Sequence, residues 1–221
     1  MTQTDQGTIN YKDELVRKLI HLFSLSIPII YYFIPRDHAI LILGILTGLA
    51  LFMDLGRYLS QSFASVFYKL FGFLLRKHEF DATKKNLNGA TYVLMSALIC
   101  VIILPKIIFV TAFSILIISD SVAALVGRKF GKTKFLSKSF EGTLAFFVSA
   151  SIVVLFTPKI NGMPAEYLIG IFAALVGSIV ENISFGFADD NLSIPISIGL
   201  TMWCLYLLFL PDARLTLAVI P

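Results

Sequence analysis

The sequence predicts an all-α fold, and more specifically a polytopic integral membrane protein with about seven transmembrane helices. Apolar residues make up 57% of the 221-residue chain, and its mean hydropathy is +0.85. This composition is typical of membrane proteins and not of soluble domains. Lys and Arg concentrate in the loops between apolar runs, which is the pattern that membrane topology produces. The net charge of +4 therefore does not indicate a nucleic-acid partner.

The order of apolar and polar stretches predicts the elements. Residues 1–10 are polar and are predicted to form a disordered tail, and residues 11–221 are predicted to form a single transmembrane domain. A bilayer is crossed by ~20 apolar residues in a helix. The predicted spans are about 15–34, 38–53, 89–104, 107–126, 140–157, 165–185 and 194–210. Residues 54–77 are amphipathic and are predicted to lie along the membrane surface, and residues 77–88 form a charged loop.

The distribution of basic residues predicts the orientation. If the N-terminus is cytoplasmic, four of the 18 Lys and Arg residues fall on the opposite side, namely Arg36, Lys106, Lys159 and Arg214. Cytoplasmic loops of membrane proteins carry an excess of Lys and Arg. We therefore expect the helix ends and loops on that side, and any site that they form, to face the cytoplasm. In a bacterium the protein would lie in the inner cell membrane.

Asp120 is an acid inside a predicted span. It lies seven residues before Gly127, so on a helix it sits roughly 10 Å below the end of that span. A carboxylate at this depth costs on the order of 3 kcal/mol, and it needs a partner, a metal or a water-filled cavity. Glu141 supplies a second acid at the start of the next span. The cations between them are Arg128, Lys129, Lys132, Lys134 and Lys138.

Acids that bracket a basic, glycine-broken loop favour a site for a metal-bound polyphosphate. Gly131-Lys132-Thr133 ends like a P-loop, but the loop follows an apolar helix and its glycine spacing differs, so that motif does not match. Backbone N–H groups near glycine can still approach an anion, and Lys132 or Lys138 can neutralise phosphate. The alternative is that the cations only fix the topology.

Glu181, Asp189 and Asp190 form a further acidic group. The loop of residues 186–193 contains no Lys or Arg, so both aspartates lack a local counter-charge. Mg²⁺ would supply it, since carboxylate oxygens suit this ion. The alternative is a solvated turn in which Asp190 or Ser193 caps the last helix. That alternative is weaker for Glu181, which lies inside a predicted span.

A third polar set lies near the ends of the first two spans. His21 follows Lys18 and Arg17 by three and four residues, so the three side chains share one helical face. They form either a basic flank that fixes topology or an accessory polar pocket, and the flank is favoured for Lys18 alone. Asp54 and Arg57, three residues apart, form either an ion pair at a helix end or part of the same pocket.

The acidic and basic motifs resemble those of a known family, the membrane CTP-dependent lipid kinases. This family includes dolichol kinase, phytol kinase and the yeast-type diacylglycerol kinase, and it is distantly related to phosphatidate cytidylyltransferases. The residues similar to its first block are Asp120-Ser121, Gly127, Gly131-Lys132, Lys138-Ser139 and Glu141-Gly142. Those similar to its second block are Glu181 and Asp189-Asp190-Asn191-Leu192-Ser193-Ile194-Pro195. The resemblance covers roughly the C-terminal half well.

This resemblance implies an enzyme that transfers the γ-phosphate of CTP to the hydroxyl of a membrane lipid alcohol, with Mg²⁺ or another divalent cation as cofactor. The implied catalytic residues are Asp120, Glu141, Glu181 and Asp190. The implied metal ligands are Asp120, Glu141, Asp189 and Asp190. The implied nucleotide-binding residues are Ser121, Gly127, Gly131, Lys132, Lys138, Ser139, Gly142 and Asn191. The resemblance is compatible with a polyprenol, dolichol, phytol or diacylglycerol as the lipid alcohol, and with any oligomeric state.

Two other functions compete with this hypothesis. A phosphatidate cytidylyltransferase also combines CTP with a membrane lipid, but this chain lacks the His-Gly-Gly and Asp-Arg-x-Asp signature of that family. A small ion-coupled transporter would use intramembrane acids as an ion path. Against a transporter, the acids crowd at one face and no clear inverted repeat is present.

Overall fold

The computed structural model describes residues 11–71, 87–184 and 189–215, so the predicted tail and most of the charged loop at 77–88 lie outside the described residues. Helices dominate the described part of the chain. The helices are α1 (Tyr11–Phe23), α2 (Ser26–Phe33), α3 (Arg36–Leu59), α4 (Gln61–Phe71), α5 (Gly89–Ile103), α6 (Lys106–Phe130), α7 (Phe140–Phe156), α8 (Pro164–Ile183) and α9 (Asp190–Phe209). Two strands, β1 (Lys134–Phe135) and β2 (Lys138–Ser139), form an antiparallel hairpin.

The prediction of an all-α membrane protein is confirmed. Within the described residues, five helical segments are long and apolar enough to cross a membrane: Leu15–Phe33, Arg36–Leu59, Lys106–Phe130, Pro164–Ile183 and Asp190–Phe209. The helices α5 and α7 are apolar but shorter, at 15 and 17 residues. Each predicted span thus coincides with a helix or a helix pair.

Three details differ from the sequence prediction. The second span does not end near residue 53, because α3 continues to Leu59 and carries Asp54 and Arg57 within the helix. The amphipathic stretch accordingly begins later, as α4, and its part after residue 71 lies outside the described residues. The small β-hairpin between α6 and α7 was not predicted, since strands of two residues leave no readable alternation.

Two proline corners turn the chain at the same end of the helix bundle. Pro35 and Pro105 directly precede α3 and α6, and proline disfavours helical backbone in the residue before it. The corners are tied together by side chains that reach carbonyls at helix ends. The Arg36 Nε donates to the Val101 carbonyl at 3.0 Å, and the Lys106 Nζ donates to the Ile34 carbonyl at 2.7 Å. These bonds satisfy carbonyls that a helix terminus leaves without partners.

Helix α6 forms the centre of the bundle and packs against α1, α2, α5, α7 and α9. Its apolar residues from Ile107 to Ile117 are buried, with Phe109 and Phe113 stacked at 5.1 Å between ring centroids. The outer helices α3, α7 and α8 keep large apolar side chains on their outward faces, as expected for surfaces in contact with lipid. The position of α6 explains why an acid on it becomes fully enclosed by protein.

A buried carboxylate at the end of the bundle that carries the two proline corners connects α8 to α9. Glu166 is 1% exposed, and it accepts backbone N–H bonds from Ile160 at 2.7 Å, Asn161 at 2.9 Å and Met163 at 3.0 Å. The Tyr206 hydroxyl donates to it at 3.1 Å. Because these four donors satisfy the carboxylate, we assign Glu166 a structural role at the end opposite the acidic motifs.

Candidate functional site

Asp120 meets residues of the first helix. It is 3% exposed and forms an ion pair with Lys18, which is equally buried. The His21 Nε2 lies 3.9 Å from the Asp120 Oδ2. Arg17 and Asp190 also contribute to the electrostatic field at His21. From the sequence, Lys18 and His21 were assigned to an accessory polar set, and Lys18 alone was interpreted as a charge that fixes the membrane topology. The structure instead places both side chains next to Asp120.

A second ion pair, which is partly buried, joins the hairpin to α8. The Lys138 Nζ donates to the Glu181 Oε1 at 2.5 Å, and Glu181 is 3% exposed. Burial lowers the pKa of Lys138, but the carboxylates of Glu181, Asp190 and Asp120 outweigh burial and raise it. Lys138 is therefore held as a cation among three acids. Lys138 thus interacts with the acids of both ion pairs, so we treat Lys18, Asp120, Lys138, Glu181 and Asp190 together as the buried charge cluster. Lys18, Asp120 and Glu181 are buried in it, and Lys138 and Asp190 are partly exposed at its border.

Asn182 positions the hairpin beside this cluster. Its Oδ1 accepts the backbone N–H groups of Ser137 at 2.8 Å and Lys138 at 3.0 Å. Its Nδ2 donates to the Thr143 Oγ1 at 2.6 Å, so one fully buried amide joins α8, the hairpin and α7. Asn182 was not among the site residues predicted from the sequence. An amide inside an apolar span was the available signal, because such a group is costly unless it is hydrogen-bonded.

Several predicted nucleotide-binding residues form a close junction between α6 and α7. The Ser139 Oγ accepts the Gly142 N–H at 3.2 Å and caps α7. A Cβ added at Gly127 would come within 3.1 Å of that Oγ, and one at Gly142 within 3.2 Å of the Ala123 carbonyl. The glycines therefore allow two helices to approach at backbone distance. The Ser121 hydroxyl is bonded within its own helix, to the Ile117 carbonyl at 2.7 Å.

Gly131→Ala should destabilise this junction. An added Cβ at Gly131 would lie 2.2 Å from the Gly127 carbonyl oxygen and 2.8 Å from the Ser139 Oγ, so backbone has to move. We expect a loss of about 1–3 kcal/mol, as for other overpacked sites. Gly44→Ala is the matched control, because no atom lies within 4 Å of its added Cβ. Thermal unfolding in micelles measures both; equal melting temperatures for the two variants would contradict the packing role.

Glu141 and Lys132 lie at the base of the hairpin. The Glu141 carboxylate accepts the Thr133 N–H at 3.1 Å, while the Lys132 side chain is exposed. Glu141 thus fastens the loop that carries the cations, and its hydrogen bonds do not join it to Asp120. Of the acids predicted to act together, Asp120, Glu181 and Asp190 all act electrostatically on Lys138, whereas Glu141 accepts hydrogen bonds from Thr133 in the loop.

Asp189 and Asn191 cap α9. The Asp189 Oδ1 accepts the Asn191 backbone N–H at 2.9 Å and its side-chain Nδ2–H at 2.7 Å, and Asn191 is buried. The cap of α9 is thus Asp189, whereas the sequence suggested Asp190 or Ser193 for that role. Asp190 contributes instead to the field around Lys138 and Glu181.

Asp54 and Arg57 form the ion pair that the sequence left open, with 3.1 Å between Arg57 Nε and Asp54 Oδ1. Asp54 is fully buried and also accepts the Asn88 backbone and side-chain N–H groups at 2.9 Å and the Thr91 hydroxyl at 2.7 Å. These contacts attach the start of α5 to α3. The predicted accessory pocket is therefore divided: Arg17, Lys18 and His21 belong near Asp120, and Asp54 with Arg57 forms a separate cluster.

The acids suit a magnesium ion by chemistry but only partly by placement. Carboxylate oxygens are ligands that Mg²⁺ prefers. Among the residues that the structure describes, however, no three His, Cys, Asp or Glu side chains come together as a ready metal site. Asp120 and Glu181 each hold a lysine instead. An ion that arrives with a phosphate ligand would need fewer protein oxygens, because it keeps phosphate and water ligands.

Comparison with known proteins identifies relatives of this chain. No family model and no solved structure matches it. The uncharacterized protein RP860 of Rickettsia prowazekii is 31% identical over 191 residues, which cover 86% of this chain and 93% of the relative. The uncharacterized protein MJ1137 of Methanocaldococcus jannaschii is 31% identical over 188 residues, covering 82% of this chain and 88% of the relative. The chain belongs to the protein family that includes these bacterial and archaeal proteins.

Proposed function

We propose that this protein is a CTP-dependent lipid kinase, which transfers the γ-phosphate of CTP to the hydroxyl of a membrane lipid alcohol. The observation that carries the proposal is the buried charge cluster, in which Lys138 of a basic hairpin and Lys18 of α1 lie among three acids. Buried charges are costly unless they are paired, and intramembrane ionisable groups commonly mark functional sites. The resemblance of these residues to the kinase motifs supplies the reaction and the nucleotide.

The lysines and acids have complementary roles in this proposal. Lys138, with Lys132 from the exposed loop, would bind CTP phosphates, and a lysine that turns to phosphate releases its carboxylate. Asp120 or Glu181 would then accept the proton of the lipid hydroxyl as its oxygen attacks the γ-phosphorus and CDP leaves. Asp120, Glu141, Asp189 and Asp190 would be the residues that hold Mg²⁺, and the ion would neutralise triphosphate charge.

The topology that suits this function has seven spans, with α5 and α7 crossing as well as the five longer segments. The N-terminus and the buried charge cluster would then face the cytoplasm, and in a bacterium the protein would lie in the inner membrane. The chain would act as a single catalytic domain on a lipid drawn from the bilayer. The separation of the two polar ends supports this arrangement, since the proline corners and Glu166 lie opposite the cluster.

Cysteine accessibility tests this topology. In a protein with Cys100 and Cys204 replaced by alanine, Thr133→Cys should react only with membrane-permeant maleimide in intact cells, because the hairpin faces inward. Asn161→Cys should react with impermeant maleimide, because its loop lies at the other end; both positions are exposed. Labelling in opened membranes controls for intrinsic reactivity. Reversed accessibility would place the cluster outside and contradict a CTP-using site.

A labelled-nucleotide assay tests the reaction itself. Purified protein in lipid micelles with Mg²⁺ should move label from γ-labelled CTP, and not from α-labelled CTP, into the organic phase. Diacylglycerol, a polyprenol, dolichol and phytol should be offered separately, because the cluster does not distinguish among alcohols. Transfer of α-label to phosphatidate would establish a cytidylyltransferase instead. Failure with every acceptor would reject the kinase and leave an ion-coupled transporter as the better hypothesis.

A further inference from the structure

The segment between α6 and α7 has a surface that the proposed reaction does not use. We call residues 129–140 the interfacial hairpin; they include the end of α6, both strands and the first residue of α7. The tip of the hairpin lies against α8, because the buried Asn182 side chain of that helix accepts the backbone N–H groups of Ser137 and Lys138. Asn182 lies one residue before the end of α8. The tip therefore stays at the level where a membrane helix ends, which is the headgroup region.

Large apolar side chains are exposed on the interfacial hairpin. Phe130 is 55% exposed, Leu136 52%, Phe140 48% and Phe135 37%. The rings of Phe135 and Phe140 meet edge to face, with 6.0 Å between their centroids, so they form one apolar patch. Phe and Leu side chains are typical of the apolar face of segments that lie in the membrane–water interface.

The backbone at Leu136 also indicates that the apolar patch of the hairpin lies at the membrane–water interface. Leu136 has a φ of +50°, in the left-handed region that tight hairpin turns usually fill with Gly, Asn or Asp. A leucine in this conformation is strained. Its side chain nevertheless remains half exposed, so the contacts within the described chain do not explain why an apolar residue occupies the turn.

Exposed cations alternate with the apolar side chains. Lys129, Lys132 and Lys134 are all exposed, and the Lys129 Nζ lies 5.2 Å from the centroid of the Phe130 ring. Cations next to membrane-inserted aromatic residues are attracted to anionic phospholipids. The headgroup layer of a membrane offers lipid phosphates to the cations and the upper part of the acyl chains to the apolar side chains. The interfacial hairpin therefore carries the two kinds of group that this layer binds.

We propose that the interfacial hairpin docks on anionic phospholipid headgroups of the membrane that holds the protein. Phe135 and Leu136 enter the interface, and Lys129 and Lys134 bind lipid phosphates, while Lys132 stays available for nucleotide. The hairpin then keeps Lys138 in its place within the buried charge cluster, while the bilayer supports the outer side of the hairpin. Docking requires only the membrane and not the kinase reaction, so the two proposals can fail separately.

A fluorescent probe at the tip tests the docking. The full chain, with Cys100 and Cys204 replaced by alanine, carries a polarity-sensitive fluorophore on Leu136→Cys and is placed in nanodiscs of phosphatidylcholine with or without phosphatidylglycerol. Spin-labelled lipids with a shallow nitroxide should quench the probe more strongly when phosphatidylglycerol is present. Each lysine contributes a factor of about five to binding at an anionic surface, so Lys129→Gln/Lys134→Gln should weaken docking roughly 25-fold.

The same fluorophore on Asn161→Cys is the matched control. That position lies in the loop before α8, which Glu166 likewise fastens at a helix end, and its side chain is exposed. Its quenching should not depend on phosphatidylglycerol, and gel filtration should show the same species for every variant. Absence of tip quenching in both membranes overturns the docking. Quenching that is equal in both membranes, or that survives the double lysine substitution, overturns the assignment to anionic headgroups.

Discussion

Asp120→Asn should lower CTP-dependent lipid phosphorylation by at least ~100-fold, because the amide keeps the size of the side chain but can neither accept the lipid proton nor offset cationic charge. The single substitution has a second effect. It leaves Lys18 buried without its ionic partner, and breaking a buried pair costs about 3–5 kcal/mol. Loss of activity in this variant alone would therefore not separate chemistry from folding.

The double variant Lys18→Met/Asp120→Asn makes that separation. With both charges removed, the buried site no longer carries an unpaired ion, so thermal stability in micelles should return close to that of the wild-type protein. Activity should not return. Asp37→Asn is the control for a carboxylate of the same type, since Asp37 is an exposed residue in the first turn of α3 at the opposite end. Wild-type turnover in the double variant would exclude a catalytic role for Asp120.

Lys138→Gln should produce a loss of similar size, whereas Lys129→Gln should retain most of the activity in neutral micelles. Both residues belong to the same basic loop, but Lys138 is held among Glu181, Asp190 and Asp120, and Lys129 is exposed. The site therefore loses a positioned cation in one case and a solvated one in the other. A phosphate-binding role predicts that Lys138→Gln raises the KM for CTP as well as lowering kcat.

The double variant Lys138→Gln/Glu181→Gln controls for stability, since it leaves no unpaired buried charge at that ion pair. It should unfold at nearly the wild-type temperature and remain inactive. If Lys129→Gln and Lys138→Gln lose activity equally, the loop acts through its total charge and the specific role of Lys138 is wrong. A KM for CTP that stays unchanged in Lys138→Gln would exclude direct contact with the nucleotide.

The sequence predicted the helices well because their signals are local. An apolar run long enough to cross a bilayer, or a proline that ends one helix and starts the next, is read within a few residues. The break between α1 and α2 and the continuation of α3 past residue 53 were harder to read, because apolar and polar residues mix there. The hairpin was missed because its strands are only two residues long.

Much of the site could be predicted only as a set of residue types. The sequence singled out Asp120, Glu181 and Lys138 because charges near apolar runs require partners. It could not choose the partners, since Lys18 lies 102 positions from Asp120 and Glu181 lies 43 positions from Lys138. Several such pairings are compatible with one sequence. Asn182 was missed for the same reason, because its hydrogen bonds join three separate elements.

By itself, the sequence determined a helical membrane protein with acids and cations near the helix ends, because hydrophobic length and charge distribution act locally. The tertiary structure decided what those residues do. Lys18, which was predicted to fix the topology, is the ionic partner of Asp120 because α1 packs against α6. Gly127 and Gly142 have a packing role because α6 and α7 approach each other closely. Ion pairs and backbone contacts depend on distances of a few ångströms between segments, and only the folded arrangement of the helices sets those distances.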